Sequence, residues 1–293
     1  MTITEIHTSD LTRPCMRSVQ LRHEGKIDAE TTGAMFDGLV FGEACAMAHA
    51  AGLADDIDHW GIVSIAWQKC HDRCLAEKQP VSRAVGDNAE QTVKDIAALV
   101  TEYADRFREH FAHWKVIGTE VPIRAAFDVD GEPVDFASHL DLMFRDHTGV
   151  LNVWDWKLAY EKDASPEFLA RQMQLPLYAV GVEVGEVLIG GEWIAMEERP
   201  TVAWIDGASL RTYKRKTTMG DGTVMGLGDR RPLSRIVREV VVRNPTAVLA
   251  EFAVRVRMQR AGLWPTNPDP VGCRICASRR WCPSFDRSMS DGN

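Results

Sequence analysis

The stretch LNVWDWKLAYEKDASPEFLARQMQLPLY, residues 151–178, is the part of the chain from which the fold is best inferred. It opens with an apolar run that ends at Asp155 and Lys157, which is typical of a buried strand whose last residues emerge at the edge of a sheet. Residues two apart on a strand project from the same face. The pattern therefore predicts an acid and an amine side by side in a cleft.

A second strand is predicted just upstream, over residues 137–145, with Asp141 in its middle. The turn-forming sequence DHTG at 146–149 predicts an antiparallel hairpin that brings Asp141 and Asp155 together. Two carboxylates at close range raise each other's pKa, and burying them is costly unless a divalent cation lies between them. Oxygen ligands suit a hard cation such as Mg²⁺. Lys157 could then orient or deprotonate an attacking water, as metal-assisted phosphodiester hydrolysis requires.

An acid-x-Lys triplet by itself is weak support, because Glu24-Gly25-Lys26 is a second example with no strand around it. The residues that follow Lys157 strengthen the interpretation. Gln174 and Tyr178 are spaced i, i+4 after the capping sequence Ser165-Pro166-Glu167, which predicts a helix. Pro176 is expected to kink it.

The order Asp141, Asp155-x-Lys157, Gln174-xxx-Tyr178 resembles the PD-(D/E)XK nuclease superfamily, specifically its RecB-like branch, in which a Q-xxx-Y helix follows the catalytic strands. The resemblance implies an α/β fold with a restriction-endonuclease-like core, a central mixed β-sheet flanked by helices. It also implies that Asp141 and Asp155 bind Mg or Mn, that Lys157 is the catalytic lysine, and that Gln174 and Tyr178 position the site and the nucleic acid.

The same resemblance suggests further metal ligands. Residues 118–127 (GTEVPIRAAF) occupy the place of a strand that begins with a glutamate in that branch, here Glu120. RecB-like nucleases often carry a histidine ligand four residues after a glycine on the first helix, yet the residue four after Gly42 is Ala46. His49 or Glu43 could replace that histidine, or the site could work without it. A structural role for His49 is the alternative.

The seven cysteines include three near the C-terminus with the spacing Cys273-x2-Cys276-x5-Cys282. A Cys-x2-Cys turn suits two metal thiolates, a third cysteine can close over the same centre, and a fourth ligand must then come from elsewhere. Cys15 is the candidate. This layout resembles the CRISPR-associated RecB-like exonucleases and the AddB-type nuclease domain, which implies a [4Fe-4S] cluster joining the N- and C-terminal segments. Zinc in the same thiolates and three unrelated thiols are the alternatives.

Charge is unevenly distributed along the chain. The net charge is −8, but residues 211–260 carry an excess of +8, which leaves −16 for the remainder. A basic segment beside an acidic cleft suits an enzyme that holds a polyanion such as DNA, although a solvated helical face would have a similar composition. Lys214, Arg215 and Lys216 are candidate phosphate contacts on a loop predicted over residues 213–231; a surface loop with no such role is the alternative.

The 293 residues, 45% of them hydrophobic and 26% charged, are typical of a globular protein. No apolar run approaches the length of a membrane span, and the first residues do not resemble a secretory signal, so we expect a cytoplasmic protein. We predict one domain over residues 1–293. It comprises a helical part at about 28–116, the catalytic sheet and helix at about 118–206, a basic loop and helices at about 207–264, and the cysteine segment 271–283 with Cys15.

Within these parts, helices are predicted over residues 35–53, 57–77 and 88–114, the last from apolar residues at alternating three- and four-residue steps. Two strands, 183–194 and 201–205, follow the Gln174 helix. Residues 233–262 are predicted to be helical, with an interruption near Asn244-Pro245.

The functional prediction is a Mg- or Mn-dependent DNA exonuclease in recombination, repair or phage DNA metabolism. Two alternatives remain open, a non-catalytic iron-sulfur nucleic-acid-binding module and an endonuclease of the same superfamily. The sequence makes no prediction of oligomeric state.

Overall fold

The computed structural model describes residues 5–7, 20–21, 24–25, 31–79, 81–82, 89–159, 173–208, 210–212, 217–218, 224–225, 230–232, 236–240 and 244–263. The four cysteines predicted to hold a cluster, Cys15, Cys273, Cys276 and Cys282, lie outside these residues. So do Lys214, Arg215 and Lys216, and the capping sequence Ser165-Pro166-Glu167.

The described residues contain five helices and fourteen strands. The helices are α1 (Gly33–Ala50), α2 (His59–Ala76), α3 (Ala89–Phe111), α4 (Gln174–Val184) and α5 (Pro245–Arg260). The strands are β1 (Glu5–His7), β2 (Thr31–Thr32), β3 (Val81–Ser82), β4 (Lys115–Val129), β5 (Glu132–Arg145), β6 (Leu151–Ala159), β7 (Glu186–Ile189), β8 (Glu192–Ala195), β9 (Thr201–Ala208), β10 (Leu210–Thr212), β11 (Thr217–Thr218), β12 (Val224–Met225), β13 (Arg230–Pro232) and β14 (Ile236–Val240).

Eight of the strands form one mixed sheet in the order β14-β9-β6-β5-β4-β7-β8, with β1 pairing additionally on β5. The β6–β9 and β1–β5 pairs are parallel, and the other pairs of this sheet are antiparallel. The predicted hairpin is confirmed, because β5 and β6 pair antiparallel across the turn at residues 146–149. Asp146 stabilises that turn by accepting a hydrogen bond from the Thr148 amide at 2.8 Å.

Helices cover both faces of the sheet, as an α/β fold requires. One core lies between α1, α2 and α3 and one face of the sheet, to which Trp154 and Trp156 contribute. The other core lies on the opposite face, where α4 and α5 pack on β4, β5 and β6. Side chains alternate between faces along a strand, so Asp155 and Lys157 belong to the face opposite the two tryptophans.

The helix predicted over residues 88–114 is confirmed as α3. Its apolar stripe faces the core, where Ile96, Val100, Tyr103 and Phe107 are buried. The helices predicted over 35–53 and 57–77 correspond to α1 and α2, and Asp58 caps α2 by accepting a hydrogen bond from the Gly61 amide at 2.9 Å. None of the described helices combines the length and apolar composition needed to cross a membrane.

The helical prediction for residues 233–262 is wrong in its first part. Ile236–Val240 forms strand β14, which pairs antiparallel with β9 from Ile236↔Gly207 to Val240↔Ala203. This segment is rich in β-branched residues, which suit a strand once a neighbouring edge offers backbone partners. The predicted interruption at Asn244-Pro245 is instead the start of α5, capped by the Asn244 side chain on the Thr246 amide at 2.9 Å.

Three other expectations need correction. The strand predicted over 183–194 is the end of α4 followed by a β7–β8 hairpin, which turns at Gly190 and Gly191 with φ of 61° and 90°. The predicted loop 213–231 contains β11 and β12, paired with each other, and the start of β13, which pairs with β10. Pro176 lies in the first turn of the described α4, where proline is tolerated, so no kink is required.

Candidate active site

Asp141 lies where two strands of the sheet separate. The β5–β6 ladder ends at the pair Leu142↔Trp154, and β6 continues alongside β9 as far as Ala159. On the same edge of β5, β1 pairs only with residues 135–137. Among the described residues this leaves Ser138 to Asp141 without a partner strand on that edge. The Asp141 side chain crosses the gap and its Oδ2 accepts a hydrogen bond from the Trp156 amide at 2.6 Å.

Asp155 is completely buried beside Lys157. Its Oδ2 lies 2.6 Å from the Lys157 Nζ, and its Oδ1 accepts a hydrogen bond from the Gln174 Nε2 at 3.2 Å. The 2.6 Å contact with the Lys157 amine pairs this buried oxygen with a positive charge. Asp141 and Asp155 share the charge of this lysine, so two carboxylates in one place are suited to an additional cation.

The electrostatics of the site reflect three charged groups in close contact, of which Asp155 is fully buried and Asp141 and Lys157 are half-buried. Burial raises the pKa of Asp141 well above its usual range, and the negative charge of Asp155 raises it further against the opposing effect of Lys157. Burial also raises the pKa of Asp155, again opposed by Lys157. Burial alone would lower the pKa of Lys157, but its attraction to Asp155 and Asp141 is larger and raises it.

Gln174 and Tyr178 lie on α4 and support Asp155 from behind. They are one helical turn apart, and Gln174 Nε2 donates to the Tyr178 hydroxyl at 2.6 Å as well as to Asp155. The Ser138 hydroxyl also donates to the Tyr178 oxygen at 3.3 Å. Burial raises the pKa of Tyr178 to about 12, with a smaller contribution from Asp155. The helix therefore holds Asp155 in place through Gln174, which Tyr178 in turn supports.

Glu120 occupies a strained position across from Asp141. It lies between the pairs Thr119↔Leu142 and Val121↔Leu140, and its φ of 50° is unusual for a residue with a side chain. Glu120 is exposed, but partial desolvation by its neighbours and the charge of Glu43 raise its pKa, while His139, Arg73 and Lys157 lower it. Such strain within a strand is found most often at functional sites.

His49 is placed among aromatic side chains. Its Nε2 is hydrogen-bonded to the Tyr103 hydroxyl at 2.7 Å, and its ring stacks on Trp156 at a centroid distance of 5.7 Å. Burial lowers the pKa of His49 to about 4, with no contribution from a carboxylate. In the described part of the chain, His49 is hydrogen-bonded to neither aspartate. It is linked to the site through Trp156, whose amide binds Asp141.

The residues present fit a divalent cation held by few protein ligands. Magnesium is usually bound by one or two carboxylates together with waters and substrate phosphates, and Asp141 and Asp155 supply such a pair. Over the residues that the structure describes, no group of three or more His, Cys, Asp and Glu side chains is arranged to hold a metal. The assignment of Glu120 and His49 as further ligands stays a prediction.

Two contributors to the site were not predicted. The Trp156 amide gives no signal in a sequence, because every residue except proline carries such a group. Ser138 lies three residues before Asp141, but its contact with Tyr178 depends on how α4 packs on the sheet. Only the three-dimensional arrangement reveals either of them.

Comparison with known protein families decides the class of this site. The model of the PD-(D/E)XK nuclease superfamily matches residues 56–283, more than three quarters of the chain. The chain belongs to the PD-(D/E)XK nuclease superfamily. Membership implies a metal-dependent nuclease that acts on nucleic acid, and the match includes the strands and helix that carry Asp141, Asp155, Lys157, Gln174 and Tyr178.

Other comparisons with this PD-(D/E)XK protein are more distant. The crystal structure of SSO0001 aligns with a TM-score of 0.45 and 14% sequence identity, over 97% of this chain and 87% of that chain. No curated protein matches the sequence.

Proposed function

We propose that this PD-(D/E)XK protein is a deoxyribonuclease that hydrolyses phosphodiester bonds with Mg²⁺ or Mn²⁺. The observation that carries the proposal is the convergence of Asp141, Asp155 and Lys157 at the gap between β5 and β6. A structural ion pair would need only one carboxylate for the lysine, whereas here two aspartates, Asp141 and Asp155, share the charge of Lys157.

Each of these residues has a proposed role. Asp141 and Asp155 would hold the cation, which when bound supplies Lewis acidity at the phosphate. The Trp156 amide and Gln174 fix the directions of the two carboxylates, and Tyr178 supports Gln174. Lys157 is in place to orient the attacking water or to stabilise negative charge on the phosphate. Together the residues and cation must remove on the order of 20 kcal/mol of barrier.

Exonucleolytic digestion of DNA, in recombination, repair or phage DNA metabolism, is the finer form of the proposal. Its support is the Gln174-xxx-Tyr178 helix after the catalytic strands, a feature of the RecB-like branch that the sequence resembles. Linear and circular DNA, each incubated with Mg²⁺ and Mn²⁺, test the mode of action. Release of mononucleotides from end-labelled linear DNA with circular DNA intact supports an exonuclease, whereas cleavage of the circle indicates an endonuclease.

The cofactor proposal includes a [4Fe-4S] cluster bound by Cys15, Cys273, Cys276 and Cys282, with zinc as the alternative. Four thiolates are a suitable donor set for either. The support is their spacing, with one cysteine before and three after the catalytic strands. The cluster would be structural and would join the two ends of the chain.

Lys157→Ala tests the catalytic assignment. We expect Mg²⁺-dependent nucleotide release to fall by at least about 100-fold, because the amine beside the cation-binding carboxylates is lost. DNA affinity should change little, since one half-buried lysine makes a small part of a polyanion interface. The measurement is nucleotide release together with DNA affinity, and thermal unfolding confirms that the variant is folded.

Lys94→Ala is the matched control, because Lys94 forms an exposed ion pair with Glu90 on α3. Its activity should equal that of the wild type. Persistent cleavage by Lys157→Ala contradicts the assignment. A wild-type protein that binds DNA but cleaves none with either metal is instead a nucleic-acid-binding module.

A further inference from the structure

Helix α2 presents two basic side chains near the acidic centre that the proposed mechanism does not use. Lys69 and Arg73 are one helical turn apart, so they project from the same side of α2, and both residues are exposed. The buried side of the helix, which includes Cys70 and Cys74, packs in the core shared with α1 and α3. The exposed side therefore belongs to a helix that is anchored in the core.

Lys69 is linked to the site through Glu43 of α1. Its Nζ lies 2.5 Å from the Glu43 Oε1, and the two side chains are 63% and 12% exposed. Helix α1, which carries Glu43, packs on β4, β5 and β6, the strands of Glu120, Asp141 and Asp155. Glu120 lies across from Asp141 in the sheet, and the charge of Glu43 raises the pKa of Glu120. An ion pair with so exposed a lysine contributes about 0–1 kcal/mol, so Lys69 can exchange Glu43 for another anion at little cost.

Arg73 lies beside the same group of carboxylates. Its positive charge lowers the pKa of Glu120, in the same direction as the charge of Lys157. Within the described ranges Arg73 donates a hydrogen bond to the Cys70 sulfur at 3.9 Å. A guanidinium presents a planar set of donors that suits a phosphate.

We propose that Lys69 and Arg73 bind the phosphate backbone of the nucleic acid next to the bond that is cleaved. The inference rests on the proposed function and extends it by naming a contact surface on α2. The recognised group is the phosphodiester itself, so the contact is independent of base sequence. Glu43 keeps the Lys69 amine at the rim of the site, from which it moves to a phosphate when the strand binds.

The test is DNA binding by Lys69→Gln/Arg73→Gln protein in a Lys157→Ala background, so that cleavage does not interfere. Two lost phosphate contacts should raise Kd about 10-fold or more at moderate salt. They should also make the slope of log K against log salt less steep by about 1.8 for duplex DNA. Lys94→Ala in the same background removes an ion-paired surface lysine and should leave Kd and slope unchanged.

The outcomes separate this inference from the nuclease assignment. An unchanged Kd and slope overturn the inference even if the wild type cleaves DNA. A higher Kd with an unchanged slope also overturns it, since the effect would then come from altered folding and not from lost phosphate contacts. A wild type that cleaves nothing overturns the nuclease assignment but leaves the binding result valid, because that result does not depend on catalysis.

Discussion

His49 shows how burial sets the chemistry of a single side chain. Its ring is hydrogen-bonded to Tyr103 and stacks on Trp156, whose amide binds Asp141. A neutral imidazole fits this aromatic environment, whereas an imidazolium would lose its hydration without gaining a counter-charge. His49 therefore packs behind Trp156, and its burial disfavours protonation of the imidazole.

We predict that the lowered pKa of His49 makes the free energy of unfolding depend on pH. The pKa of His49 is about 4 in the folded protein, against an ordinary value of 6.5. Between these values the unfolded chain binds a proton that the folded protein does not, so stability falls as pH decreases through this window. From about pH 7.5 to about pH 5 the contribution of His49 should decline by roughly 2 kcal/mol.

Chemical unfolding of the wild type and His49→Gln at both pH values measures this contribution. Glutamine can still hydrogen-bond to Tyr103 but does not titrate, and all other groups are common to both proteins. The stability difference between them should shrink by the same roughly 2 kcal/mol on acidification. A difference that stays constant with pH would show that His49 is protonated as easily in the folded protein as in the unfolded chain.

Among the secondary-structure elements, helix α4 sets the position of the two residues that support Asp155. The helix carries Gln174 and Tyr178 at its start and ends at Gly185, where the chain turns directly into β7. Gly185 lies against β4, and a side chain there would overlap the Arg124 carbonyl oxygen and lie 2.6 Å from the Gly181 oxygen. Its backbone conformation is ordinary, so the requirement for glycine is one of space.

Gly185→Ala is therefore predicted to destabilise the protein by at least about 2 kcal/mol, because backbone atoms must move to admit the methyl group. Gly38→Ala on α1 is the control, because a Cβ at that position meets no atom within 4 Å. Alanine at this helical position should be neutral or stabilising by up to about 1 kcal/mol. Equilibrium unfolding in denaturant measures both, and equal effects of the two substitutions would contradict the packing argument.

Sheet pairing explains which elements the sequence predicts and which it does not. The β5–β6 hairpin and α3 depend on local patterns, a turn sequence and a 3.6-residue period, and both are confirmed. Ile236–Val240 is apolar enough for a helix or a strand, and its pairing with β9 decides the outcome. Secondary structure that depends on a distant partner cannot be inferred from local sequence alone.

For the whole molecule, the distribution of charge matters more than its total. A net charge of −8 opposes DNA binding in general, so a nuclease of this composition needs local positive regions. The proposed surface on α2 is one such region within the described residues, and the basic excess over residues 211–260 is another feature of the chain. Acidic residues elsewhere would repel phosphates and so keep the bound strand at the cleft.

The iron-sulfur proposal also concerns the whole molecule, because it joins residues from both ends of the chain. Protein purified without oxygen should be brown, with the broad visible absorption of an iron-sulfur cluster. Cys15→Ala should remove the colour and lower the unfolding temperature, since the cluster would no longer connect the N-terminal segment to the C-terminal one. Iron, sulfide and zinc analysis together with the visible spectrum provide the measurement.

Cys70→Ala is a suitable control for the colour. Cys70 is a free cysteine buried where α2 packs in the core, and it is not one of the four proposed cluster ligands. It should lower stability without changing iron content. Colourless wild-type protein with stoichiometric zinc would support the zinc alternative, and colourless protein without metal would contradict both.

By itself, the sequence determined the local parts of the site. The side-chain period of two in a strand places Asp155 and Lys157 on one face, and the helical period places Tyr178 one turn from Gln174. The turn between β5 and β6 brings Asp141 to the same end of the sheet. These relations span few residues, so backbone geometry is sufficient to predict them.

Only the tertiary structure decided how these parts meet. The gap in which Asp141 lies opens because β6 leaves β5 to follow β9, whose residues are about fifty positions further along the chain. The placement of His49 behind Trp156, and of Glu120 in a strained position across from Asp141, likewise depends on contacts between distant segments. Such contacts result from packing the whole core, and no local pattern in the sequence records them.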